Sequence, residues 1–139
     1  MTTQTRINLS TVDFLVIDDN HFIRRLMREI LLAFGARSVR EANRAEDGLD
    51  AVAQDPPDII LCDWMMRPMD GLEFLRTLRS GPWSSIPVIM VTGHATADHV
   101  AAALGDGADS YVVKPFRAMT LLEHIAKVAA RADNRVELI

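Results

Sequence analysis

The sequence predicts an α/β domain, a doubly wound five-stranded parallel sheet with five helices. Short apolar runs recur along the chain and each stops abruptly at polar residues. Each run is followed by a segment whose apolar residues return at three- and four-residue spacing, as on one face of a helix. The run Asp58-Ile59-Ile60-Leu61-Cys62-Asp63 is short and continuously apolar, bounded by Pro56-Pro57 before and by Arg67-Pro68 and Asp70-Gly71 after. Strands buried on both faces belong to parallel sheets, whose crossover connections lay helices over them.

Taken in order, Val12 to Ile17 is a β-branched and aromatic run that ends at Asp18-Asp19-Asn20, giving a first strand with acids at its carboxyl end. Asn20 is an N-cap, and Phe22, Ile23, Leu26, Met27, Ile30, Leu31 and Phe34 mark a first helix until Gly35 stops the pattern. Its other side carries Arg24, Arg25 and Arg28, which periodicity alone reads as a solvated face. Ser38 to Ala42 is a weaker second strand, Ala45 to Ala53 a second helix, and Asp58 to Asp63 the third strand. Gly71 to Leu78 is a third helix ending near Ser80-Gly81-Pro82, and Ile86 to Val91 a fourth strand that ends at Thr92-Gly93. Ala97 to Leu104 is an alanine-rich fourth helix closed by Gly105 and Gly107. Tyr111 to Val113 is a short fifth strand ending at Lys114-Pro115, and a last helix runs from Ala118 to Arg131. The expected organisation is a flexible lead-in over residues 1–10, one domain over 11–132 and a loose tail over 133–139.

A chain of 139 residues, 49% hydrophobic and 24% charged, has room for one sizeable core and points to a single domain. A net charge of -4 argues against holding nucleic acid through a broad basic surface. Cys62 is the only cysteine, so neither an intrachain disulfide nor a multi-cysteine metal site can form. Met1 to Asn8 lacks a signal-type apolar core and no run reaches membrane-spanning length, so a soluble cytoplasmic protein is the expectation.

In an all-parallel sheet the residues just past each strand share one edge, where ligands of open α/β sheets bind. Here that edge collects Asp18, Asp19, Asp63, Thr92 and Lys114. Carboxylates drawn together repel unless a hard cation lies among them, and oxygen-only donors suit Mg2+. A hydroxyl and an ammonium beside that ion match a phosphoryl group with its several anionic oxygens. Each residue alone has a plainer explanation: Asp18-Asp19-Asn20 as a helix cap, Asp63 as a turn cap, Thr92 as a strand end, Lys114 as a loop lysine. Their shared placement, each at the end of its own strand, favours a site.

With these motifs the chain resembles the receiver domains of two-component response regulators, close in size to the stand-alone chemotaxis type. The segments that carry the resemblance are Phe14 to Asp19, Asp63-Trp64-Met65-Met66 with Asp70-Gly71, Thr92-Gly93, and Lys114-Pro115-Phe116. The resemblance implies a flavodoxin-like sheet in the order 2-1-3-4-5 and a cis proline at Pro115. It implies Asp63 as phosphoacceptor and Mg2+ bound by Asp19, Asp63 and the Met65 backbone carbonyl, with Asp18 acting through a metal-bound water. Lys114 and Thr92 would contact the phosphoryl oxygens, and Tyr111 would change rotamer as Thr92 is drawn inward. The implied partners are a histidine kinase or histidine phosphotransfer protein, with the first helix as a docking face. Output would be a protein contact through the fourth helix, fifth strand and fifth helix, with the protein a monomer or a phosphorylation-dependent dimer and catalysing only its own phosphorylation and dephosphorylation.

The chain departs from the family at Arg67, which separates Met66 from Pro68. Met65 and His94 occupy positions that in this family influence phosphoryl lifetime, and Met65, unable to position a hydrolytic water, points to slow dephosphorylation. Trp64 is expected to be exposed beside the site, Cys62 to be an inert buried thiol, and Tyr111 has core packing as its alternative role. Two rival functions use the same residues: a Mg2+-dependent phosphatase or phosphotransferase working through an aspartyl-phosphate, and a scaffold that never accepts phosphate. No room for a cap domain speaks against the first, and the complete acid, hydroxyl and lysine set against the second.

Overall fold

A computed structural model describes residues 7–93, 96–132 and 137–138. Its central sheet is built from β1 (Asp13–Ile17), β2 (Ser38–Ala42), β3 (Ile59–Cys62), β4 (Val88–Thr92) and β5 (Ser110–Val113), in the order β2-β1-β3-β4-β5. Every neighbouring pair is parallel. The helices are α1 (His21–Ala33), α2 (Ala45–Gln54), α3 (Gly71–Ser80), α4 (Ala97–Gly105) and α5 (Ala118–Ala132). The predicted fold class and strand order are those observed.

Alternation along each strand sorts the core into two layers. Phe14 and Val16 of β1, Leu61 of β3 and Ile89 and Val91 of β4 pack against Met27 and Leu31 of α1 and Leu121 and Ile125 of α5. The residues between them, Leu15, Ile17, Ile60, Cys62, Val88 and Met90, pack against Val52 of α2, Phe74, Leu75 and Leu78 of α3 and Ala103 of α4. A continuous apolar run is therefore what a strand with helices on both sides requires.

Helix α1 starts where Asn20 accepts from the backbone N–H groups of Phe22 and Ile23, at 3.0 and 3.2 Å. It ends where Gly35 adopts φ 95°, a conformation a side chain would disfavour. Its apolar stripe is wider than the face it buries. Met27 and Leu31 are fully buried and Ile23 and Ile30 partly so, whereas Phe22 is 82% exposed and Leu26 and Phe34 are also exposed. Predicted strand four also begins too early. Pro87 follows Ile86, and the Ile86 N–H turns back to the carbonyl of Trp83, so the first ladder bond falls on the Pro87 carbonyl, from the Ile60 N–H, and the strand runs from Val88.

Residues 7–10, expected as lead-in, connect with the far end of the chain: the backbone of Ile7–Asn8 pairs antiparallel with Glu137–Leu138. Leu9 is buried in the layer beneath α1 and α5, and a turn from the Val12 N–H to the Leu9 carbonyl brings the chain into β1. Among the described residues, no helix is long and apolar enough to cross a membrane.

Candidate functional site

Backbone hydrogen bonds continue the ladder one residue past the strands and so fix the residues at the carboxyl edge. The N–H of Asp18 donates to Ala42, that of Asp63 to Ile17 and that of Lys114 to Thr92, at 3.1, 2.9 and 2.9 Å. Asp18 and Thr92 are completely buried and Asp63 is 5% exposed, while Asp19 is exposed. One carboxylate oxygen from each of Asp18, Asp19 and Asp63 lies within 4.8 Å of the others. The edge predicted from the sequence thus brings its acids together.

Lys114 reaches into this cluster. Its Nζ lies 2.7 Å from Asp18 Oδ2 and 3.3 Å from Asp63 Oδ2. Asp18 also accepts from the Asn20 N–H at 2.9 Å, and Asp63 Oδ1 from the Trp64 N–H at 2.7 Å. Burial pushes the Asp18 carboxyl up from its ordinary range; the bonds from Lys114 and Asn20 oppose that shift and the Asp63 charge adds to it. Three carboxylates facing one ammonium remain short of positive charge. The donor set is all oxygen and carries several charges, which fits a small hard cation such as Mg2+.

Thr92 sits between Asp63 and Lys114 by register: Cys62 pairs with Met90 and Thr92 with Val113. Its buried Oγ1 has no hydrogen-bond partner among the described residues. A buried hydroxyl without a partner is costly, and a group with free acceptor oxygens entering the site would satisfy it. Tyr111 is half-buried against the α2–α4 layer, so the packing role exists. Burial and then the Asp63 charge raise its phenol.

The loop after Asp63 is shaped by Gly71. The Gly71 N–H donates to the Trp64 carbonyl at 2.8 Å, and a Cβ on Gly71 would lie 2.1 Å from the Asp63 carbonyl oxygen. Only glycine permits this approach. Within the loop Met66 is buried, and the Met65 side chain (56% exposed) and Arg67 are exposed. The Arg67–Pro68 peptide bond is cis, as is Lys114–Pro115; the second was expected and the first was not. Trp64 packs partly against the α2–α4 layer and meets His99 of α4 edge-on, with ring centroids 5.0 Å apart, so it is less open than expected. Cys62 is buried, and burial with the charges of Asp63 and Asp18 pushes its thiol up, consistent with an unreactive residue. His94 lies outside the described residues.

Two residues beside the site, Arg24 and Glu41, make contacts that the sequence pattern does not indicate. Arg24 donates from Nη1 to the Asp18 carbonyl at 2.8 Å and from Nε to Glu41 Oε1 at 3.1 Å. Periodicity had assigned Arg24 to solvent and gave Glu41 no role.

Comparison with known proteins agrees with this geometry. The family model described as response regulator receiver domain matches residues 14–126. Over 121 residues the chain is 33% identical to the chemotaxis protein CheY of Pseudomonas aeruginosa, covering 86% of this chain and 98% of that protein. It is 36% identical over 121 residues to the response regulator MprA of Mycobacterium tuberculosis, covering 87% of this chain and 52% of that protein, about half its length. Among solved structures, a response regulator described as putative from Chloroflexus aurantiacus superposes with a TM-score of 0.82 at 26% identity, covering 86% of this chain and 98% of that one. The Vibrio cholerae chemotaxis protein CheY4 superposes with a TM-score of 0.79 at 27% identity, covering 85% and 98%.

Proposed function

The chain belongs to the response regulator receiver domain family, and from that premise we propose that it accepts a phosphoryl group on Asp63 and signals through protein contacts. The observation that carries this reading is the buried Thr92 hydroxyl, without a hydrogen-bond partner among the described residues, at the strand ends that also bear Asp63 and Lys114. These are an acceptor carboxylate, an ammonium and a free hydroxyl donor.

In the proposed reaction a carboxylate oxygen of Asp63 attacks the phosphorus of a phosphohistidine on a partner kinase or phosphotransfer protein. The new bond is P–O and the bond broken is P–N; the P–N electron pair goes to the imidazole, which leaves neutral because its other ring nitrogen already carries a proton. Asp18, Asp19 and Asp63, with the Met65 carbonyl, would hold Mg2+, which when bound offsets negative charge on the transferring group. The chain's own residues do the positioning. The Asp63 backbone is tied to Ile17 and the Trp64 N–H holds one carboxylate oxygen, which orients the carboxylate. Lys114, already 3.3 Å from Asp63, would pair with one phosphoryl oxygen, and Thr92 would donate to another.

Phosphorylation converts the singly charged Asp63 carboxylate into an acyl phosphate that carries close to two negative charges on oxygens farther from the backbone. The resulting pull on Thr92 and Lys114, at the ends of β4 and β5, would be passed to the surface of α4, β5 and α5, with Tyr111 following Thr92. Apolar residues are exposed there, Leu104 on α4, Val113 on β5 and Met119 on α5, which suits a protein partner. The exposed Phe22 and Leu26 of α1 offer a similar surface beside Asp19 for the phosphodonor. The exposed Met65 supports slow loss of the phosphoryl group, and Met65→Asn is expected to speed that loss.

The test is incubation with Mg2+ and a small phosphodonor. A stoichiometric, acid-stable and base-labile adduct, absent in Asp63→Asn, is expected. Multiple turnover of a phosphoester would indicate an enzyme, and no adduct a scaffold.

A further inference from the structure

Arg24, Arg25 and Arg28 have similar places in the sequence and different places in the structure. Arg25 and Arg28 reach Glu41 at 3.5 and 3.7 Å with side chains 52% and 33% exposed. Arg24 is only 13% exposed, and it alone of the three also bonds to the site, through the Asp18 carbonyl. Its acidic partner is fixed as well. Glu41 is 19% exposed and stands opposite Val16 in the β1–β2 ladder, next to Ala42, whose carbonyl accepts the Asp18 N–H.

The Asp18 carbonyl and the Asp19 N–H belong to one rigid peptide plane. A guanidinium that fixes the carbonyl therefore fixes the plane and the Asp19 Cα that lies in it, the point from which the Asp19 side chain starts. The Asp18 side chain is fixed separately, by Lys114 and the Asn20 N–H. We infer that Arg24, oriented by Glu41, is a positioning residue that sets the Asp18–Asp19 peptide and thereby the cation affinity of the acidic site. The inference rests on reading Asp18, Asp19 and Asp63 as the Mg2+ site.

Charge and position predict opposite signs. A positive group behind the acids repels a cation, so if Arg24 acted through its charge, removing it would tighten Mg2+ binding. If it acts by holding the peptide, removing it loosens binding, as loss of an outer-shell partner generally does.

The test is Mg2+ titration of the full chain followed by tryptophan emission, with thermal melts in the absence of Mg2+ to verify folding. Arg24→Met is expected to raise the dissociation constant about tenfold, and Glu41→Ala, which removes the carboxylate on Arg24 Nε, to raise it by a smaller factor. Arg24→Lys retains one donor and is expected to fall between wild type and Arg24→Met. Arg25→Met removes the same charge without touching Asp18 and is expected to leave affinity unchanged or slightly tighter. If Arg24→Met fails to fold, Arg24→Lys decides, because it keeps the charge: looser binding supports the positioning role and unchanged binding overturns it. Unchanged or tighter binding in the Arg24 variants, or an equal loss in Arg25→Met, overturns the inference while leaving the Mg2+ site intact. A wild-type chain that gives no response to Mg2+ overturns both.

Discussion

At the amino edge of the sheet Asp13 accepts from Arg37 Nε at 2.9 Å and from Ser38 Oγ at 2.7 Å, and Asp58 accepts the Asp13 N–H at 2.8 Å. At the carboxyl edge Asp18, Asp19 and Asp63 crowd together with the Lys114 ammonium on Asp18 and Asp63, and the Thr92 hydroxyl is buried without a partner among the described residues. The same sheet carries acids at both ends. Those at the amino edge are paired within the chain: the bonds from Arg37 and Ser38 bring the Asp13 carboxyl down to about 2 despite some burial. At the carboxyl edge burial drives Asp18 the other way. An acid paired inside the protein supports the fold. Acids left crowded, next to an unbonded hydroxyl, indicate binding of something from outside.

The contrast extends to the glycines near each edge. Gly71→Ala places a Cβ against the backbone beneath Asp63, so it is expected to destabilise by about 3 kcal/mol and to abolish the Mg2+ response. Gly35, before β2 at the amino edge, has open space around it and only its φ of 95° to lose, so Gly35→Ala is expected to cost about 1 kcal/mol with the response to Mg2+ retained. Denaturant midpoints, read alongside the Mg2+ titration, check both. Equal costs would break the contrast.

A smaller effect separates the edges by pH. The folded pKa of Asp13 is depressed, so its contribution is fully present above the ordinary value of 3.8 and is lost as pH falls through about 2. The pair is partly solvent-screened, so that contribution is about 1 kcal/mol. Urea midpoints measured between these pH values should fall in the wild type, and the part of the fall due to Asp13 should vanish in Asp13→Asn. The smallest expected effect lies one residue back from the acceptor. Cys62 is buried with its thiol pushed up, so a thiol reagent should label it only as fast as the chain unfolds. Fast labelling of the folded protein would show that this edge is more open than the packing indicates.

Structure is legible in the sequence where one local pattern determines the outcome. Phe14 and Val16 face one layer and Leu15 and Ile17 the other, which is why β1 reads as an unbroken apolar run. Asn20 and Gly35 announce the two ends of α1, and the acids at the carboxyl edge could be gathered because Asp18 and Asp19 follow β1 and Asp63 follows β3. Contacts decided by long-range partners leave no local pattern. Arg24 lies on the charged side of its helix by periodicity, and only the β1–β2 register brings Glu41 to it. Phe22 and Leu26 fit the apolar stripe but extend beyond what the sheet covers. Arg79 near the end of α3 donates to the carbonyls of Ile86 and Gly107 and to Asp109, a clamp between chain segments that no local spacing reveals. Gly71 was legible as a helix start, whereas its approach to the Asp63 carbonyl required the fold.

The central claim is that the carboxyl edge sacrifices stability until a cation fills it, whereas the amino edge does not. Urea denaturation of Asp19→Asn and Asp13→Asn, each with and without Mg2+, tests this most directly. Without Mg2+, Asp19→Asn should be more stable than wild type by about 1 kcal/mol, because it relieves repulsion among the acids. Asp13→Asn should be less stable by a similar amount, because it removes a paired acid. Saturating Mg2+ should stabilise the wild type and Asp13→Asn, pass over Asp19→Asn and so reverse the order of Asp19→Asn and wild type. Asp19→Asn less stable than wild type without Mg2+, or a wild type indifferent to the ion, would contradict the claim.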